Sequence, residues 1–311
     1  MSALDLPAIS FETYLEESVR LEARVDRLLG DFYEKRGHGE RHAILDFLVE
    51  YYSFRKSKLT TWTPGFGGRV LHQDDEQLRG NFWRRHGSHS EVSDERLGSG
   101  KLSGVRWTLH LLKSIDSRPP VFHCHGMHEW AMVYKSSEIR HPHLKLRLTG
   151  NEIDRFVESQ PIGCSHIDAF RFFTEPARPL NRFQPSRETQ AELDQPGCLH
   201  VTMDLYKWAY KGWPWVPSTI LVDALELAID ARILDMQASP YDVSNYGYEA
   251  VAIETAAGRR EYAARQEALS HRAEPIRKRL IAYYERLFDQ CHLASGDQAG
   301  RFEPDEIQTT G

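Results

Sequence analysis

Apolar residues recur at helical spacing along much of the chain. Between positions 11 and 29, Phe11, Tyr14, Leu15, Leu21, Val25 and Leu28 fall near one face, and between 42 and 54 Ile44, Phe47, Leu48 and Tyr51 do the same. Two amphipathic helices are predicted there. Val105, Leu109 and Leu112 continue the spacing until Pro119-Pro120 stops it, and the largely apolar run 121–134 reads as a buried helix. Pro196-Gly197 precedes a helix over 198–211; Pro214 and Pro217 separate that helix from a longer one at about 218–237, and a charged helix follows at about 259–289.

Two stretches break the helical rhythm. Residues 63–104 hold Pro64-Gly65-Phe66-Gly67-Gly68, many charges and Gly98-Ser99-Gly100, so a long loop or lid is expected. Leu144, Leu146 and Leu148 alternate with Lys145 and Arg147, the pattern of a short strand closed by Gly150. Ser165 stands three residues before Asp168, the spacing of a capping box, which predicts a helix from there to about Phe173. The fold expected is mainly α: one large helical domain over 1–293, with 63–104 as a mobile lid, at most a few short strands, and a frayed tail over 294–311.

Composition narrows the setting. With 41% hydrophobic and 27% charged residues the chain is an ordinary globular one, not disordered or fibrous. Its N-terminus has the marks of neither a secretory signal nor a membrane anchor, so a cytoplasmic location is expected. The cysteines at 124, 164, 198 and 291 form no close-spaced disulfide framework and read as thiols. A net charge of −6 excludes a surface coated in positive charge, though basic groups at Arg55, Lys56 and Lys58, at Lys207 and Lys211, and at Arg277, Lys278 and Arg279 leave room for a local basic groove. Seven Trp, thirteen Tyr and fourteen Phe are more than a helical core needs, and several adjoin charges, as a site for a flat ligand requires.

Chemistry concentrates in two segments. Phe122-His123-Cys124-His125-Gly126-Met127-His128-Glu129-Trp130 sets histidines and a carboxylate in an apolar run, where an idle charge on Glu129 is costly. Core histidines satisfied by hydrogen bonds are the competing reading. In the second segment His200, Asp204, Lys207 and Lys211 share one helical face, either a site or a solvated stripe, and Trp208 to Trp215 interleaves cations with rings as base-stacking platforms do. Asp223, Glu226 and Asp230 form a further stripe that reads as solvated. His125 with Glu129 and His200 with Asp204, each four apart, also admit a helical metal centre, while Cys124-His125, Cys164-x-His166 and Cys198-x-His200 offer zinc-type donors.

Several runs together resemble a bacterial family labelled 3-methyladenine DNA glycosylase. They are Asp46-Phe47-Leu48, Tyr51-Tyr52-Ser53, His128 to Tyr134, Asp168-Ala169-Phe170-Arg171-Phe172-Phe173, Arg187-Glu188-Thr189-Gln190, Gln195 to His200, Met203 to Lys211 and Ala238-Ser239-Pro240-Tyr241-Asp242. The resemblance covers roughly residues 20–285, without the helix-hairpin-helix pattern of other alkyl-base glycosylases. It implies hydrolysis of the N-glycosidic bond of a modified base in DNA, leaving an abasic site, with no cofactor and no bound metal.

That reaction assigns expected roles. Glu129, then Asp204, is the carboxylate facing the developing sugar cation, and His128, His166 or His200 hydrogen-bonds the leaving base. Trp130, Tyr134, Phe170, Tyr206 and Trp208 are the expected base contacts, and Lys207, Lys211, Arg171 and Arg187 the phosphate contacts. The alternative expectation is a metal-dependent helical oxygenase or hydrolase, holding iron, manganese or zinc and acting on a small molecule.

Overall fold

Ser10 opens the first long helix: its hydroxyl accepts the Thr13 backbone N–H at 3.1 Å, closing the N-terminus of α1 (Phe11–Gly37). The helix buries Tyr14, Ser18, Leu21, Val25, Leu29 and Phe32, a stripe at helical spacing. Leu15 and Leu28, expected on that stripe, are respectively exposed and partly buried. The computed structural model describes residues 8–52, 54–73, 76–95, 99–122, 124–136, 139, 141 and 143–295. Positions 296–311, the greater part of the expected frayed tail, lie outside the described residues.

The chain is mainly α-helical. After α1 come a single wide turn at Phe47–Tyr51, α2 (Lys56–Thr60), α3 (Ser99–Asp116), α4 (Met127–Ala131), α5 (Gly150–Ser159), α6 (Ile167–Phe170), α7 (Gln190–Leu193), α8 (Leu199–Lys211), α9 (Ser218–Ala238) and α10 (Ala256–Ser295). Helix α8 packs along α9, and α10 runs across α3, α8 and α9. Among the described residues no helix is long and apolar enough to cross a membrane.

Four expected elements are shorter than their sequence signals suggest; the helix expected from Ser165 to about Phe173 is α6 alone, Ile167–Phe170. The run 121–134 is helical only over α4, because His125 and Gly126 adopt positive φ (46° and 73°) and break it; Gly126 sits where a side chain would press on Ala238 and Tyr262. The expected helix at 42–54 is reduced mainly to its wide turn. The 144–148 alternation makes one isolated bridge, Leu146 to Tyr241, instead of a strand.

The stretch 63–104, expected as a lid, contains three short strands and the start of α3. Strands β2 (Arg69–Leu71), β3 (Trp83–His86) and β4 (His89–Val92) join β1 (Ile9–Ser10) in a sheet of order β1-β2-β4-β3, with β1 parallel to β2 and the other pairs antiparallel. Gly87, at φ 56°, turns the two-residue hairpin between β3 and β4. Strands of three or four residues, with Trp-Arg-Arg-His in one of them, carry too little alternation to be read. This segment is fastened to the helices: Phe66 N–H donates to the Trp215 carbonyl at 2.7 Å, Thr63 Oγ1 to the Pro214 carbonyl at 2.8 Å, and Trp215 Nε1 to the Ser93 carbonyl at 3.0 Å.

Candidate functional site

The polar face of α8 points inward. His200, Asp204 and Lys207 are all buried, since α9 and α10 cover the helix, and twelve of its thirteen residues are buried. Groups of this kind stay inside only when each finds a partner. Asp204 is the node: Tyr52 Oη donates to its Oδ1 at 2.8 Å, while Lys207 Nζ at 2.8 Å and His166 Nε2 at 3.4 Å meet its Oδ2. Lys207 also donates to Asp168 Oδ2 at 3.2 Å, and Arg187 pairs with Asp168 Oδ1. Asp168 therefore closes no capping box; His166 caps α6, and the Asp168 carboxylate turns to the two cations.

Burial opposes ionisation of Asp204, but Lys207 and His166 overcome it and hold the carboxyl well below its ordinary range. Asp168 is lowered in the same way, burial opposing and Lys207 leading the opposite effect. Lys207, against its own burial, is raised by these two carboxylates.

Glu129 belongs to a different cluster. Arg232 of α9, only 2% exposed, donates through Nη1 to Glu129 Oε1 at 2.8 Å and to Asp235 Oδ2 at 2.5 Å. Asp235 Oδ1 lies 2.7 Å from His128 Nε2. Burial opposes charge on His128, yet Asp235 raises it well above the ordinary imidazole value; His200 is pushed well below that value by burial and then by charged His128. The rings of His128 and His200 lie 4.6 Å apart and those of His200 and His166 5.2 Å, so a histidine ladder joins the two clusters.

Beside the Asp168–Lys207 pair opens a cavity of about 960 Å³, at the upper end of small-ligand sites. Tyr52, Phe54, Trp107, Trp208, Trp213, Trp215 and Tyr284 supply its rings, and Lys58, Lys101, Lys207, Lys211, Arg171 and Arg187 its cations, against the carboxylates of Asp168 and Glu188. Lys207 and Lys211 lie over the Trp208 ring at 4.6 and 5.0 Å, Lys58 over Trp213 at 5.2 Å, and Lys101 over Trp215 at 5.1 Å. Among the described residues Lys58, Lys101 and Lys211 form no ion pair. Lys58 is lowered by partial burial and then by Lys101 and Arg55, and Lys211 by partial burial and then by Lys207. Crowded cations without carboxylate partners are relieved by an anion. Gly212 on the wall has no room for a side chain, since a Cβ would sit 2.4 Å from Val216 and 3.0 Å from Tyr284.

The expected site residues therefore divide. Lys207, Lys211, Arg171, Arg187 and Trp208 line the cavity, with Asp204 directly behind Lys207. Glu129 does not line it: its carboxylate is spent on Arg232 inside the core, which removes it as the group facing substrate there. His128, His166 and His200 are buried in the ladder and cannot reach a base in this cavity. Trp130 is fully buried with its Nε1 on the Ala238 carbonyl, Tyr134 donates to Glu158, Phe170 packs on Phe173, and Tyr206 stands edge-on to Phe54. These four are core residues, not base contacts in this cavity.

Asp168, Phe54, Trp107, Lys58 and Lys101 complete the site but were not among the expected contacts. Lys58 had a signal in its basic group, and Trp213 and Trp215 belong to the interleaved run. Trp107 and Lys101 had none.

Two sets of donors lie mutually within 4.8 Å and could hold a metal: His128, His200 and Asp235, and His166, Asp168 and Asp204. In each, a protein cation, Arg232 or Lys207, already binds the carboxylates. Comparison with family models, curated proteins and solved structures gives no match.

Proposed function

We propose that the cavity receives a nucleotide turned out of a DNA strand and that the protein hydrolyses the N-glycosidic bond of a modified base. The observation that carries this reading is the set of three lysines that have no carboxylate partner among the described residues, each lying over an aromatic ring, around a cavity that also presents Asp168. Rings accept the base and cations the flanking phosphates. Extracting a base costs a few kcal/mol, which stacking at about 1–3 kcal/mol per base offsets. The net charge of −6 is compatible because the cations are gathered in one cavity.

In this reading Asp168 takes the role expected of Glu129. Its carboxyl is held ionised, so it faces the positive charge that develops on the sugar and orients the attacking water. The water oxygen bonds to the sugar carbon as the bond to the base nitrogen breaks. The base leaves with the bonding electrons and takes up a proton, and the hydroxyl remains on the abasic sugar. Asp204 acts from behind, fixing Lys207 against Asp168.

The metal-dependent reading, an oxygenase or hydrolase acting on a small molecule, draws on the two histidine–aspartate sets. Stoichiometric iron, manganese or zinc bound there would favour it. The test of the glycosylase reading is incubation with oligonucleotides bearing alkylated purines and other modified bases, scoring abasic sites. Strand scission after alkali at one or more lesions is expected; none across the panel overturns the reading.

A further inference from the structure

Lys211 stands apart from the other cations of the large cavity. It is the one residue of α8 that is not buried, it follows Lys207 by one helical turn on the same face, and its ammonium lies over the Trp208 ring at 5.0 Å. Among the described residues it forms no ion pair. The charged groups that act on it are Lys207, Asp204, Arg187 and Asp168, which sets it beside the carboxylate of the cavity, whereas Lys58 faces Lys101 and Arg55. Lys207 itself is committed, since Asp204 and Asp168 hold its proton.

On the reading of the cavity as the site of base release, we propose that Lys211 gives the protein a second activity: its amine condenses with the aldehyde of the abasic sugar, and the DNA strand is then broken at that position. A lysine amine attacks a carbonyl only without its proton. Partial burial and then Lys207 move Lys211 toward that form, with Asp204 and Asp168 opposing them. Protonated, the same amine pairs with a flanking phosphate; neutral, it is the nucleophile.

No oxidant or cofactor is consumed. In its open form the abasic sugar carries an aldehyde. The Lys211 nitrogen bonds to that carbon, the carbonyl oxygen leaves as water with both amine protons, and the imine takes up a proton from solvent. Asp168, held ionised beside Lys207, accepts a proton from the neighbouring carbon. The electron pair of that C–H bond forms a double bond to the next carbon, whose bond to the phosphate oxygen breaks with its electrons on the phosphate. Water then hydrolyses the imine, restoring the Lys211 amine and leaving an unsaturated aldehyde on one fragment.

The experiment gives the full-length protein a single-stranded oligonucleotide whose abasic site is already made, together with cyanoborohydride, which reduces the imine to a stable amine. Because this strand needs no base release, the outcome is independent of the glycosylase assay. A covalent protein–DNA adduct mapped to Lys211 by mass spectrometry is expected, with strand breakage without alkali when the reductant is left out. Lys211→Arg keeps the charge and is expected to lose both adduct and breakage while still binding the abasic strand. Asp168→Asn is expected to form the adduct and to break the strand about a hundred- to ten-thousand-fold more slowly. No adduct with the wild-type protein, an adduct mapped to another lysine, or breakage undiminished in Lys211→Arg overturns the proposal.

Discussion

Replacing Arg232 by Met isolates the argument that moves Glu129 out of the reaction. The guanidinium is only 2% exposed and bridges Glu129 and Asp235 at 2.8 and 2.5 Å. Asp235 keeps His128 when Arg232 is lost, but Glu129 loses its cation, and its Oε2 already has no partner among the described residues. Unit charges about 4 Å apart attract by about 4 kcal/mol at an effective dielectric of ~20. Removing one member of a buried pair costs about 3–5 kcal/mol, a large share of a total stability of roughly 5–15 kcal/mol. Arg232→Met is therefore expected to lose about 3–5 kcal/mol, read from the urea midpoint with the slope unchanged. Adding Glu129→Gln removes the stranded charge and is expected to recover about 1–2 kcal/mol. A loss below about 1 kcal/mol for Arg232→Met, or a double variant no more stable than the single one, refutes the assignment of Glu129 to a structural ion cluster.

Stability is expected to peak near the ordinary imidazole value of about 6.5. His128 and His166 are raised by their carboxylates against burial, so their contribution is complete below that value and fades as pH rises through their folded values. His200 is lowered, so the unfolded chain binds the extra proton and stability falls as pH drops below about 6.5. Asp204 and Asp168, also lowered, add a further loss below about pH 4. Urea midpoints flat from pH 5 to 9 would contradict this arrangement. Reversing two cavity cations, Lys58→Glu with Lys211→Glu, is expected to weaken single-strand binding and flatten the log affinity against log salt slope by about 1.4, at ~0.7 per phosphate contact. An unchanged slope places the phosphates elsewhere.

The long elements were legible because their signals agree along many residues. Helices α8 and α9 lie between Pro-Gly or Pro punctuation, and α10 was anticipated over most of its length despite Pro275 within it. The α9 stripe, expected to be solvated, is instead partly buried and ion-paired: Asp223 meets Arg24 and Arg279, Glu226 meets Arg24, and Asp230 meets Arg272. The polar face of α8 and the cost of burying Glu129 were visible as well. Its remedy was not, since Arg232 stands 103 residues away and only packing α4 against α9 unites the pair. The cavity was half legible for the same reason. Local sequence marks Trp208, Lys211 and the rings after them, whereas Trp107 and Lys101 reach the wall through the docking of α3 on α10.

Single-turnover release of the free base, with binding of the same oligonucleotide measured alongside, tests the assignment of the cavity most directly. Asp168→Asn is expected to retain binding and to slow release about a hundred- to ten-thousand-fold, the range for a positioned acid–base group. Release by Asp168→Asn at the wild-type rate would contradict the assignment.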